Sequence, residues 1–210
     1  DQLLVWHPQA VASLNPTDGS VYWTVPLEPD YGMSIAQPQR SGDQLFVSGI
    51  VNKNLMLRLD PNKPAVTERW VGTPKTSMSV STMTPVLHNG LIFGCDENLG
   101  AVVAARMEDG KRLWNSWIPV RPGNRRPLSA GNAFITRHTP SGRYLLFGEE
   151  GHLTIASMNE DGFTSHGQMK VVDATQSAFG RKVIWSHPAY AAKTAYFRND
   201  KELVAVDLAE

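Results

Sequence analysis

Cysteine is almost missing from this sequence. Cys95 stands alone among 210 residues, so neither an intrachain disulfide nor a zinc site built on paired cysteines is available. Charge of one sign is missing too: 20 Lys+Arg are cancelled by 20 Asp+Glu. That balance removes the electrostatic basis for a hold on nucleic acid or on an anionic membrane surface. Long apolar runs are the third absence. The longest, Ala101 to Ala105, is strand-sized, far short of the roughly 18 residues a membrane-spanning helix needs. What remains is 41% hydrophobic and 19% charged, with 17 Gly and 14 Pro. This composition belongs to a folded, turn-rich globular chain, of a length that allows one large domain or two small ones. The opening on Asp1, without an initiator Met or an apolar leader, fits a processed chain or a segment of a longer one.

Five short apolar runs recur along the chain: Leu3-Leu4-Val5-Trp6, Leu45 to Gly49, Leu91 to Gly94, Leu145 to Gly148 and Ala195 to Arg198. Each is followed, after a short polar connection, by a second run, so the pairs read as hairpins. The second runs are Ala10–Leu14, Leu55–Leu59, Ala101–Ala105, Leu153–Ser157 and Leu203–Val206. Turn chemistry then repeats at Asn15-Pro16-Thr17-Asp18-Gly19, Asp60 to Pro64, Glu108-Asp109-Gly110 and Asn159 to Gly162. Gly supplies positive φ and Pro fixes φ in such reversals. A third strand follows with Trp23, Trp70 or Trp114 at a matching place; the fourth unit has Phe163 and His166 there instead. Segments with Pro38, Pro85 and Pro188 precede most first runs and read as an additional strand with Pro at its end.

Taking Asn15, Asp60, Arg106, Met158 and Asp207 as equivalent, the spacings are 45, 46, 52 and 49. A period of about 40 to 50 residues with four short strands per unit predicts β-propeller blades. Repeats run approximately over 1–30, 31–74, 75–120, 121–175 and 176–210. A helical solenoid would need apolar residues at i, i+3, i+4 and i+7, and no segment shows them. A β-sandwich would not return the same order of strand, turn and Trp.

The stretches Ala12-Ser13-Leu14-Asn15-Pro16-Thr17-Asp18-Gly19-Ser20-Val21-Tyr22-Trp23 and Ala104 to Trp114 resemble the PQQ-type repeat, with its Gly-x-x-x-Trp spacing. Thr84 to Gly94 is similar to the opening of such a repeat. The resemblance covers Leu3 to Leu208, although the third and fourth turns lack the Asp at the strand end. It implies an all-β propeller of four-stranded antiparallel blades, with Trp23, Trp70 and Trp114 packed between blades. The family divides into dehydrogenases holding pyrroloquinoline quinone with a metal ion such as calcium, and cofactor-free scaffolds of bacterial envelopes. The dehydrogenases carry a vicinal disulfide beside the quinone. A chain with Cys95 alone cannot form it, which argues against that cofactor and for the scaffold branch. That branch implies an extracytoplasmic location (periplasmic, secreted or envelope-associated) and a protein, peptide or polymer partner.

Counting strands gives three in the first unit, four in each of the next three and three in the last. The expectation is therefore the C-terminal part of a ring of seven or eight blades, with an independent five-bladed ring as the other possibility.

No catalytic signature stands out. Gly-x-Ser-x-Gly is absent, as are a Ser three residues before a Lys, a P-loop, GxGxxG and HExxH, so the sequence assigns no catalytic, metal or cofactor residue. The candidate binding residues are cationic. Arg121, Arg125 and Arg126 lie among prolines in a long connection between blades, and Arg181 follows Phe179-Gly180. Guanidinium groups there would grip carboxylates or phosphates. His187, in Trp185-Ser186-His187-Pro188, is expected on an innermost strand facing the central channel. The acidic pairs at Asp96-Glu97 and Glu149-Glu150 read as solvated hairpin tips. The function that follows is a noncatalytic binding scaffold; the alternative is an enzyme with a small-molecule site in the central channel, such as a quinoprotein-type oxidoreductase.

Overall fold

A computed structural model describes residues 1–123 and 126–209. Among the described residues, twenty short strands and a single 3₁₀ turn make up the regular structure. The first sheet holds β1 (Leu3–His7), β2 (Ala10–Leu14) and β3 (Val21–Pro26). The second holds β4 (Gln39–Ser41), β5 (Gln44–Ser48), β6 (Asn54–Leu59) and β7 (Val66–Val71). In the third are β8 (Val86–His88), β9 (Leu91–Asp96), β10 (Ala101–Arg106) and β11 (Arg112–Ser116). In the fourth are β12 (Ala133–His138), β13 (Arg143–Gly148), β14 (His152–Met158) and β15 (Phe163–Lys170). A small hairpin of β16 (Gln176–Ala178) and β17 (Arg181–Val183) then precedes the last sheet, called the fifth below, of β18 (Ala189–Ala191), β19 (Thr194–Arg198) and β20 (Leu203–Asp207).

Every sheet is an antiparallel meander of neighbouring strands. Strands β4, β8 and β18 begin just after Pro38, Pro85 and Pro188, where a missing N–H costs no ladder bond. The turns before β3, β7 and β15 are closed by Asx contacts: Asn15, Asp60 and Asn159 each accept the N–H of the residue two positions on. Those side chains mimic a backbone turn and so fix the hairpin register.

Alternation along the strands buries both faces of the middle sheets. In the second sheet, Leu45, Val47, Leu55 and Leu57 pack on the first sheet with Trp6, Val11 and Trp23. Phe46 and Met56, pointing the other way, join the larger core that continues through the third, fourth and fifth sheets. The period-2 alternation of a strand thus places one sheet between two cores. Aromatic side chains bridge the later junctions: Phe93 meets Tyr144 at 5.4 Å between ring centroids, and Phe147 meets Phe197 at 4.7 Å. Trp70 donates its indole N–H to the Met107 carbonyl (3.0 Å) and Trp114 to that of Asn159 (2.7 Å), each in the turn of the following sheet. Trp23 packs toward the second sheet, but its N–H goes to Gln2 Oε1 at 2.9 Å.

One local reading is corrected. His187 is not on a strand: β18 starts at Ala189, because Pro188 supplies no N–H for the ladder. The Phe179-Gly180 segment forms the tip of the β16–β17 hairpin, with positive φ at both residues.

Candidate functional site

In a meander, the hairpin between the second and third strands and the connection to the next sheet leave from the same end. The tips at Val51, Glu97, Glu150 and Lys201 therefore share an end with the connections carrying Tyr31, Arg121 and Arg181. Hydrogen bonds tie tip to connection. Ala130 N–H donates to the Glu97 carbonyl (2.8 Å), Ile184 N–H to that of Glu149 (2.7 Å), and Asn199 Nδ2 to that of Asp173 (2.9 Å).

Beneath these loops lie two buried carboxylates. The Asp96 side chain is fully buried and pairs with Arg112 at 2.8 Å, while Oδ2 also accepts the N–H of Ser79. Glu149 is likewise fully buried: Arg181 donates Nε at 2.8 Å and Nη2 at 3.1 Å, and Asn132 donates its backbone N–H. The expected solvated tips are thus interior anchors, and only their neighbours Glu97 and Glu150 keep partial exposure. Buried carboxylates are retained where charged and backbone donors both satisfy them. The signal visible in sequence was the acidic pair itself; what it lacked was the partner, since Arg181 is 32 residues from Glu149.

Arg121 and Arg181 come together at one place, a cleft of about 670 Å³ between the fourth and fifth sheets. Its walls carry five cations, namely Arg121, Lys170, Arg181, Lys182 and Lys201, against Glu150, Asp173 and Glu202; Ala174 is the one apolar lining residue. Arg121 Nε pairs with Glu150 at 2.7 Å and Lys170 with Asp173 at 2.7 Å. His152 also lines the cleft, with Nδ1 buried and without a partner. Burial holds its imidazole below the usual histidine range, opposed by Glu150 and reinforced by Lys170.

The other sequence-derived candidates lie apart or outside. Arg126 is exposed in the connection after Arg121, whereas Arg125 falls outside the described residues. His187 lies over the Phe134 ring, 4.7 Å between centroids, with Nδ1 at 2.9 Å from the Pro188 carbonyl oxygen. Cys95 is buried with its thiol donating to the Gly131 carbonyl, and burial pushes its ionisation far up. It behaves as a small core residue and not as a nucleophile.

A second region of the same end differs in kind. Tyr31 is 88% exposed and Ile35 and Val51 are nearly half exposed. Tyr31 and Val51 both have left-handed φ, 58° and 54°, a conformation that is costly for a β-branched residue. Val51 N–H donates to Glu97 Oε1 at 2.5 Å. Burial pushes the Glu97 carboxyl above its usual range, and Asp96 and Asp30 add to the rise. Exposed apolar side chains and the acids Asp30 and Glu97 thus share this end. Their signal in sequence was faint, because single exposed Tyr, Ile and Val residues carry no pattern.

No family model and no curated protein matches the sequence. Solved structures do. BamB from Moraxella catarrhalis aligns over 97% of this chain and 53% of its own, with TM-score 0.61 and 13% identity. AztD from Citrobacter koseri aligns over 99% of this chain and 56% of its own, with TM-score 0.55 and 12% identity. The chain thus spans little more than half the length of these structures. At such identities the likeness shows the fold alone, an all-β arrangement of antiparallel meander sheets of the β-propeller kind.

Proposed function

We propose that this is a β-propeller of PQQ-repeat type, from the cofactor-free bacterial branch, acting outside the cytoplasm as a noncatalytic scaffold that docks a protein partner. The observation that supports it most is the exposed apolar set Tyr31, Ile35 and Val51, fixed on the loop-bearing end of rigid sheets. Left-handed backbone at an exposed Tyr and at a Val costs folding energy, and such strain persists where the surroundings over-determine it, commonly at binding sites. The acids Asp30 and Glu97 at that end favour a partner segment that brings aliphatic side chains flanked by Lys or Arg. The similarity to BamB and AztD is compatible with this reading through the fold they share.

A photo-crosslinking residue at position 31 tests it, with one at position 141, in the β12–β13 turn at the opposite end, as reference. Incubated with bacterial envelope extract, the first should label one protein stoichiometrically and the second should not. Equal labelling from both positions, or none from position 31, would overturn the proposal.

A further inference from the structure

The cleft between the fourth and fifth sheets has a charge pattern that the docking of a protein on the apolar set leaves unused. Among the described residues, three of its cations are matched by carboxylates: Arg181 by Glu149, Arg121 by Glu150 and Lys170 by Asp173. Among the described residues, Lys182 and Lys201 have no carboxylate within ion-pair distance, and Lys201 acts on Asp173 from farther off. They line the cleft from different walls, β17 and the β19–β20 tip. The Lys182 ammonium donates to the Thr175 carbonyl at 3.1 Å, while Asp200, next to Lys201, accepts the Thr175 hydroxyl at 3.2 Å.

We propose that this cleft binds a small hydroxylated phosphate monoester, its phosphate held by Lys182 and Lys201. Ammonium groups from two walls suit the tetrahedral spread of phosphate oxygens better than the plane of a carboxylate. A volume of about 670 Å³ exceeds what a phosphate fills and lies in the usual range for small-molecule clefts. The walls are polar apart from Ala174, so the body of the ligand is polar as well. Glu150 and Glu202 offer carboxylate oxygens to its hydroxyl groups. His152, whose buried Nδ1 has no partner, favours the tautomer with its proton on Nε2 and so adds one donor.

The inference stands apart from the protein-docking reading, since it uses other residues and another probe. Isothermal titration calorimetry with glycerol 1-phosphate, with glycerol and succinate as comparisons, decides it. The phosphate monoester should bind, and succinate and glycerol should bind at least tenfold more weakly. Lys182→Gln with Lys201→Gln, both exposed positions that folding tolerates, should weaken the phosphate monoester by tenfold or more. The same substitution at Lys111, in the turn at the far end of the third sheet, should change nothing. Absence of heat with glycerol 1-phosphate, succinate binding as tightly, or undiminished affinity in the double variant would each refute the proposal.

Discussion

The two halves of the loop-bearing end solve the same packing problem with opposite chemistry. Around the second and third sheets, the connection carrying Tyr31 and the tip carrying Val51 expose apolar side chains beside Asp30 and Glu97. Around the fourth and fifth sheets, an inserted hairpin brings Arg181 onto Glu149 and opens a cleft with mostly charged walls. The source of the arginine makes the difference. Asp96 receives Arg112 from the last strand of its own sheet, so that sheet is closed upon itself. Glu149 receives Arg181 from beyond its sheet, so part of the fourth sheet's stability depends on the hairpin that follows it. One buried-acid device thus serves as an internal brace in one half and as a clasp between sheets in the other.

The largest expected effect breaks that clasp. Glu149→Ala leaves Arg181 nearly buried without its counter-ion and the Asn132 N–H without its acceptor, and should cost about 3 to 5 kcal/mol. Glu150→Ala removes only a half-exposed pair and should cost at most about 1 kcal/mol. Urea denaturation of the two variants measures the contrast, and equal losses would dissolve it.

A smaller effect tests the acidic half through pH. The Glu97 carboxyl is raised in the folded protein, chiefly by burial. Its contribution is favourable while the group is protonated and is lost as pH rises from the ordinary value of 4.5 through the folded one. Glu97→Gln should therefore melt higher than the parent at pH 7 and show no advantage well below pH 4.5, as thermal scans at the two pH values would show. The smallest effect is expected at Tyr31, whose side chain is 88% exposed. Tyr31→Ala should shift stability by no more than about 0.5 kcal/mol in chemical denaturation while abolishing partner capture. A large loss of stability would make Tyr31 a structural residue instead.

The sheets were legible in the sequence because their signals are local. Apolar runs of four or five residues, Asx turns at Asn15, Asp60 and Asn159, and prolines just before β4, β8 and β18 each act within a few positions. The candidate site was legible only in pieces. Arg121 and Arg181 stood out as cations in connections, yet nothing local says that they face one cleft 60 residues apart in the chain,. Lys182 is legible beside Arg181 in the cationic segment Phe179-Gly180-Arg181-Lys182, whereas Lys201 is not, because a single lysine on a hairpin is ordinary surface. Asp96 and Glu149 looked solvated because their burial depends on arginines contributed by distant segments. His187 was misplaced for the opposite reason: a local rule was applied on the wrong side, since Pro188 precedes β18 instead of ending it.

The indole bonds from Trp70 and Trp114 into the next sheet's turn have a mechanical side. The second and third sheets are each fastened to the one after by a side chain they supply themselves, so force or heat is passed from neighbour to neighbour along that part of the row. Damage at one tryptophan should split the row at that joint and leave the sheets on either side intact, as in a chain of links rather than a single block. That modularity leaves the tips free to diverge, and it is how an apolar, acidic region and a cationic cleft come to share one end of a single repeat.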